Sequence, residues 1–303
     1  MFHLLLAIIY LSFISLGLPD GLLGSAWPTI YPMLDVPVSY AGILFAIISF
    51  CTVISSLLSD RLTLRLGPGK ITAVSVATTA LALFGFSVSQ SYWMLCLWAI
   101  PYGLGAGSVD ASLNNYVAIH YTSRHMSWLH CMWGVGATVG PYLMGCILSG
   151  GGHWTTGYRS IGIIQILLTV ILFLSLPLWK NRASNRSEKQ QKKPLSFSQI
   201  LNIPGAKQIM IAFFCYCAAE QTFMVWSATF LVMARGMDAV HAASMGGLFF
   251  IGMTVGRGIS GFIAMKLTPR QMVRMGQVMM LLGCLLLFVP GQNIAVFGLL
   301  FMG

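Results

Sequence analysis

The sequence predicts an all-α polytopic membrane protein, and three observations carry that prediction. The chain is 57% hydrophobic and only 8% charged, with a mean hydropathy of +0.80. Its apolar residues fall in runs long enough to cross hydrocarbon, which takes about 20 residues at 1.5 Å each. Its basic residues gather in alternate connections between those runs. Soluble domains carry about 25% charged residues, so a body of 303 residues this poor in charge would not stay dispersed in water. A cytoplasmic enzyme, a secreted disulfide scaffold and a disordered chain are thereby excluded.

Apolar windows give about nine complete spans. In order they run Leu4–Tyr31, Tyr40–Leu58, Ile71–Ser89, Tyr92–Ile119, Trp128–Leu148, Tyr158–Trp179, Gln208–Met233, Ala242–Met265 and Gln271–Val289. A tenth begins near Asn293 and reaches Gly303, a rise of about 16 Å and half the hydrocarbon thickness. A chain seldom ends in mid-bilayer, so a C-terminal truncation is expected. The N-terminal run has no basic flank and no A-x-A-like site, and it contains Asp20. It reads as a first transmembrane helix, not as a cleaved leader.

The connections after even-numbered spans hold 14 of the 17 Lys and Arg residues. Those after odd-numbered spans hold only Arg159 and Arg235, with Asp35 and Asp238. The positive-inside rule then places the N-terminus and the central linker in the cytoplasm, in a multi-pass protein of the cell membrane. The net charge of +10 is an orientation bias cut up by apolar spans, and no nucleic-acid face follows from it. Seven cysteines lie inside apolar segments without zinc-type spacing, as packed thiols do. His120, His125 and His130 recur every five residues, which does not put three imidazoles on one helical face. No metal site and no cofactor are expected. His130 is a candidate pH-sensitive contact or a helix-end hydrogen-bonding group.

The longest connection, Lys180 to Pro204, is basic through Lys193. It is a solvated linker, or else Leu195, Phe197, Ile200 and Leu201 form a short interfacial helix. Comparing the chain with itself reveals a repeat at an offset of 201, pairing Phe13 with Phe214, Ser59 with Ser260, Leu66 with Leu267 and Pro68 with Pro269. Near that offset Asp20 matches Glu220, Asp35 matches Asp238 and Trp27 matches Trp226. The expected organisation is an N-terminal six-helix bundle over 1–179, a linker over 180–204 and a partial second bundle over 205–303. Two such parallel units would total about 400 residues, leaving roughly 100 absent.

Two groups of residues carry a family resemblance. Between spans two and three stands Asp60-Arg61-Leu62-Thr63-Leu64-Arg65-Leu66-Gly67-Pro68-Gly69-Lys70. It resembles the G-x-x-x-D-R-x-G-R-K signature of the major facilitator superfamily. Either Asp60–Arg61 is the acidic–basic pair, followed by an insertion, or Arg65-Leu66-Gly67 supplies R-x-G with Leu64 where the acid usually stands. The second alignment agrees with the repeat at Gly261 to Leu267. The stretch Tyr102-Gly103-Leu104-Gly105-Ala106-Gly107-Ser108-Val109-Asp110-Ala111-Ser112-Leu113-Asn114-Asn115, with Trp128-Leu129-His130 and Gly134 to Pro141, is similar to the fucose permease-like branch. That resemblance implies the major facilitator fold, with the first six-helix bundle complete and the second incomplete. It also implies a proton-coupled symporter of a sugar or similar small polar solute.

A charged group near the bilayer centre costs about 2.5–3.5 kcal/mol on insertion scales and faces a cavity or a partner. Asp20, Asp110 and Glu220 are therefore the proton-coupling candidates. The alternative is a carboxyl hydrogen-bonded between helices. Asn114 stands one turn after Asp110 on the same face, and Gln165 and Gln221 offer the same donors and acceptors to a substrate. Trp27 and Trp226 are candidates to stack on a sugar, or else interfacial anchors. Arg257 must pair with an acid or reach the surface, and with Arg65, Gly67 and Gly261 it forms the gating set. Glycines on spans four and five allow close helix approach, while Pro19, Pro28, Pro101 and Pro141 allow kinks.

These residues favour secondary active transport by alternating access, in a monomer whose partners are protons, a small-molecule substrate and lipid. Proton-driven efflux of drugs or metabolites and a non-transporting fragment are the alternatives. No H-E-x-x-H, paired-aspartate or G-x-S-x-G motif supports an enzyme, and no selectivity loop supports a channel.

Overall fold

The computed structural model describes residues 2–183, 197–263 and 266–303. All regular structure among them is helical, as apolar segments in lipid must be, because each helix satisfies its own backbone polar groups. The chain runs α1 (Phe2–Asp20), α2 (Leu22–Met33), α3 (Tyr40–Leu66), α4 (Pro68–Val88), α5 (Tyr92–His120), α6 (Ser123–Ser149) and α7 (Trp154–Ala183). It continues with α8 (Phe197–Leu201), α9 (Ala206–Arg235), α10 (Ala239–Gly246), α11 (Leu248–Ile263), α12 (Pro269–Phe288) and α13 (Gln292–Met302). The middle of the basic linker, residues 184–196, and the expected end of span eight at Met265 lie outside the described residues. The alternative to a plain solvated linker, a short helix near its end, is met by α8, with Leu195 outside the described residues.

Eight helical segments among the described residues are long and apolar enough to span a membrane, one fewer than the nine expected. The difference is α5, which has the length at 29 residues but whose Gly, Tyr and Trp residues and Asp110 dilute its hydropathy. Its position is that of a span, since it packs along both α3 and α4. Two expected spans are broken. The first divides at Gly21 into α1 and α2, and the eighth divides at Gly247 into α10 and α11. Both breaks rest on α6: added Cβ atoms would meet the Pro141 ring at 2.5 Å from Gly21 and 3.1 Å from Gly247. Pro19 lacks the N–H a continuous helix would use, which weakens the ladder just ahead of the first break.

Helix ends follow local chemistry. Gly67 takes φ 83° between α3 and α4, and Pro68 opens α4, a position where its missing N–H is harmless. Asp60 and Arg61 thus lie within α3, and the Arg65-Leu66-Gly67 run makes the corner. Thr268 and Gln271 form a reciprocal capping box at α12. Gly236, at φ 64°, closes α9 with the Met237 N–H donating to the Leu231 carbonyl at 3.0 Å. Asp238 caps α10 by accepting from the Val240 and His241 N–H groups.

Helices α1–α7 pack through α1 on α6, α3 on α5, and α4 on α5 and α7. Backbones approach closely where side chains are missing. A Cβ at Gly136 or Gly140 of α6 would strike the Ile14 or Leu18 carbonyl of α1, and one at Gly103 or Gly107 would strike the Ile48 or Thr52 carbonyl of α3. Helices α9–α13 meet this group through α2, α3 and α6. Gly24 lies on the Met224 carbonyl, while Gly134 and Gly145 receive the Thr254 and Ser244 side chains, so small residues let the helices approach closely across the junction.

Gly136→Val is expected to destabilise the protein by about 1–3 kcal/mol, the usual cost of overpacking, and to lower its unfolding temperature in detergent. Gly261→Ala is the control, because nothing lies within 4 Å of that site. An unchanged unfolding temperature for the valine variant would show that the α1–α6 contact is loose. The Asp238 cap should show a pH signature. Hydrogen bonds from the His241 N–H and side chain hold its carboxyl below the usual range, so its contribution is present above about pH 4 and disappears as pH falls through the depressed value. Asp238→Ala should therefore melt below wild type at neutral pH, with the gap closing in acid.

Candidate functional site

Polar residues that are costly to bury converge on one place. Between the two groups of helices lies a cavity of about 880 Å³. Asp20 enters from the broken end of α1, Asp110 and Asn114 from α5, His130 from α6, Glu220 and Gln221 from α9, and Arg257 from α11. The walls between them are mainly apolar and include the aromatic rings of Phe45, Phe86 and Tyr158 from the first helices and Phe213 from α9.

Asp20 is held by two uncharged donors. The Tyr102 hydroxyl donates to Oδ1 and the Trp133 indole N–H donates to Oδ2, each at 2.8 Å. Tyr102 is fixed in turn by Phe86, whose ring meets it edge-on at 6.2 Å. Arg257 donates from Nη2 to the Glu220 carboxylate and to the Tyr216 hydroxyl, both at 3.0 Å. Its guanidinium also lies over the Trp133 ring, 4.8 Å from the centroid, within cation–π range. The Arg257 and Glu220 side chains are 23% and 12% exposed, so the pair is largely withdrawn from solvent and strongly dependent on both partners being present. Asp110 accepts from the Asn114 amide at 2.9 Å and is open to the cavity, as the one-turn spacing between them allows.

Other expected site residues lie elsewhere. Gln165 is buried and joins α7 to α1, donating to the Ser15 carbonyl at 2.5 Å and accepting from the Ser15 hydroxyl. Trp27 is fully buried, and its indole donates to the Val38 carbonyl at 2.7 Å. Trp226 packs partly buried against the same apolar cluster as Trp27. These three side chains are taken up by helix packing and do not line the cavity. Arg65 is exposed near the end of α3, Gly67 makes the α3–α4 corner, and Gly261 faces open space. Arg257 alone of the gating set lines the cavity. Among the described residues no group of three metal-ligating side chains occurs.

Three residues of the site were not singled out from the sequence: Tyr102, Trp133 and Tyr216. Trp133 lies three residues after His130 and beside Gly134, a spacing that puts a large aromatic on the face of α6 that leads into the cavity. That periodicity was the available signal.

The Major Facilitator Superfamily profile matches residues 9–303. Over 283 residues the chain is 24% identical to Bypass of stop codon protein 6 of Saccharomyces cerevisiae, covering 83% of this chain and 55% of that protein. It is 25% identical over 251 residues to an uncharacterized MFS-type transporter of Yersinia pestis, covering 78% and 61%. The chain thus spans between about half and two thirds of the length of these relatives. Among solved structures, a D-xylose-proton symporter aligns with a TM-score of 0.73 at 13% identity, over 98% of this chain and 78% of that one. A nucleoside transporter aligns at 0.71 and 15%, over the same shares. A bacterial homolog of the human lysosomal transporter Spinster, in an inward-facing and occupied conformation, aligns at 0.65 and 15%, over 99% and 70%. These likenesses establish the fold.

Tyr102→Phe removes one of the two donors to Asp20. A hydrogen bond to a charged group is worth about 1.5–3 kcal/mol, and thermal unfolding in detergent should show a loss of that order. The same substitution in an Asp20→Asn background should lose less. Equal losses in both backgrounds would mean that the hydroxyl does not act on Asp20.

Proposed function

The chain belongs to the Major Facilitator Superfamily, and from that premise we propose that it carries a small polar solute across the membrane by proton-coupled alternating access. The observation that carries this reading is the shared cavity that Asp20, Asp110 and Glu220 all line. Carboxyls placed in a shared internal space can bind a proton while the space faces one side and release it when the space faces the other. The proposed units are the bundles over 1–179 and 205–303, rocking about the cavity on the linker over 180–204.

The cargo class we favour is a sugar, in keeping with the fucose permease-like resemblance. Asn114 and Gln221 supply hydrogen-bonding groups, and Phe45, Phe86 and Phe213 supply rings for the apolar face of a pyranose. The fold shared with a D-xylose-proton symporter and a nucleoside transporter is consistent with a hydroxyl-rich solute. With the basic connections in the cytoplasm, the side of the cavity nearest Ser127, Phe213 and Ser260 faces inward, and the packed junction of α2, α6, α9 and α10 faces out. In this reading Arg257 gates the cavity while Arg65, Gly67 and Gly261 serve the sliding of helices at the cytoplasmic corners. The proposed working form is a monomer in the cell membrane.

The test is uptake of labelled sugars into liposomes holding the purified chain, with an imposed inward proton gradient. One pH unit, equivalent to about 1.4 kcal/mol per proton, supports up to about tenfold accumulation in one-to-one symport. A protonophore should abolish the accumulation. Asp110→Asn should bring it down to about the external concentration while leaving exchange of labelled for unlabelled sugar within about twofold, the split expected when a proton-transfer group is lost. No accumulation of any sugar by the wild-type chain would overturn the reading, and gradient-driven expulsion of an amphipathic dye would replace it with efflux.

A further inference from the structure

Trp133 touches both groups of helices at once. Its indole N–H lies in the plane of the ring and is donated to Asp20 Oδ2 at 2.8 Å. Its ring face is occupied by the Arg257 guanidinium, 4.8 Å from the centroid, and Arg257 is in turn paired with Glu220 at 3.0 Å. One side chain of α6 therefore stands between an acid of α1 and an ion pair of α11 and α9. Edge and face are chemically coupled. A carboxylate accepting from the N–H pushes electron density into the indole and strengthens the hold of its face on a cation. A neutral acid at position 20 withdraws both effects together.

We propose that Trp133 is the positioning residue that links the proton state of Asp20 to the Arg257–Glu220 pair, and through it links the two groups of helices. The proposal rests on the transport reading above and deepens it. With Asp20 ionised, Arg257 is shared between the Trp133 face and Glu220, and the groups are tied across the cavity. When Asp20 takes a proton the ring loosens its hold, Arg257 passes wholly to Glu220 and Tyr216 on its own side, and the tie is released.

The other groups around this chain have separate places. The remaining carboxyl, Asp110 on α5, is engaged with Asn114, while His130 on α6 packs edge-on to Phe13 at 5.7 Å. Tyr102 of α5, with Tyr158 of α7 behind it, faces the other oxygen of Asp20. On α9, Tyr216 shares Arg257 with Glu220, and Cys217 lines the cavity beside them. None of these contacts both Asp20 and Arg257 as Trp133 does.

The test uses Trp133→Phe, which keeps a ring for Arg257 and deletes the N–H. In liposomes this variant should retain sugar exchange within about threefold and lose most gradient-driven accumulation. Its exchange–pH profile should shift by about half a unit or more toward higher pH, because a hydrogen bond that favoured the ionised carboxylate is gone. A second measurement needs no substrate: the pH dependence of thermal unfolding in detergent, for the wild type, Trp133→Phe, Asp20→Asn and the double variant. The effect of Trp133→Phe on that dependence should vanish when Asp20 is Asn. Unaltered accumulation and pH profile in Trp133→Phe, or an effect that persists without Asp20, overturns the proposal. If the wild type transports no sugar but the unfolding cycle shows the coupling, the cargo reading fails and the Trp133 link stands.

Discussion

Hydrocarbon offers no partner to a charge or an unpaired backbone group, and that constraint shapes this molecule from its helices to its central cavity. Every span is helical because a helix alone closes its own hydrogen bonds in such a solvent. The same cost drives the few charged side chains of the spans inward. Asp20, Asp110, Glu220 and Arg257 come from four different helices and meet in one cavity, each with at least one polar partner.

Close packing makes room for that meeting. Within the first seven helices, glycines of α5 and α6 lie directly on the backbones of α3 and α1. Across the junction Gly24 lies on the Met224 carbonyl, and Gly134 and Gly145 make room for the Thr254 and Ser244 side chains of the later helices. Where lipid removes the hydrophobic drive between helices, such small-residue contacts supply the association through dispersion.

Part of the site is legible in the order of residues alone. The three acids stand out because a carboxyl in an apolar run is conspicuous, and Arg257 needs an acid for the same reason. Asn114 is placed by the turn that separates it from Asp110. Gln165, Trp27 and Trp226 carry the same chemistry in the sequence, yet in the structure Ser15, Val38 and the neighbouring apolar cluster absorb them. A side chain's hydrogen-bonding capacity is written in its formula, whereas the partner that consumes it comes from a distant part of the chain. Tyr102, Trp133 and Tyr216 illustrate the converse. In an apolar helix an aromatic reads as packing, and only the approach of Asp20 or Arg257 gives its polar edge or its ring face a role.

By itself the sequence determined that the chain is helical, that it crosses a membrane many times, where most connections fall and which charges must be sheltered. Those properties follow from composition and local period, which act over a few turns of one helix. The tertiary structure decided that α5 spans despite its diluted hydropathy and that the first and eighth spans break where Gly21 and Gly247 meet Pro141. It also decided that Asp20 and Arg257 share one indole ring. Each of these depends on contacts between residues far apart in the chain, and in lipid such contacts are set by shape and by polar satisfaction, neither of which has a sequence period.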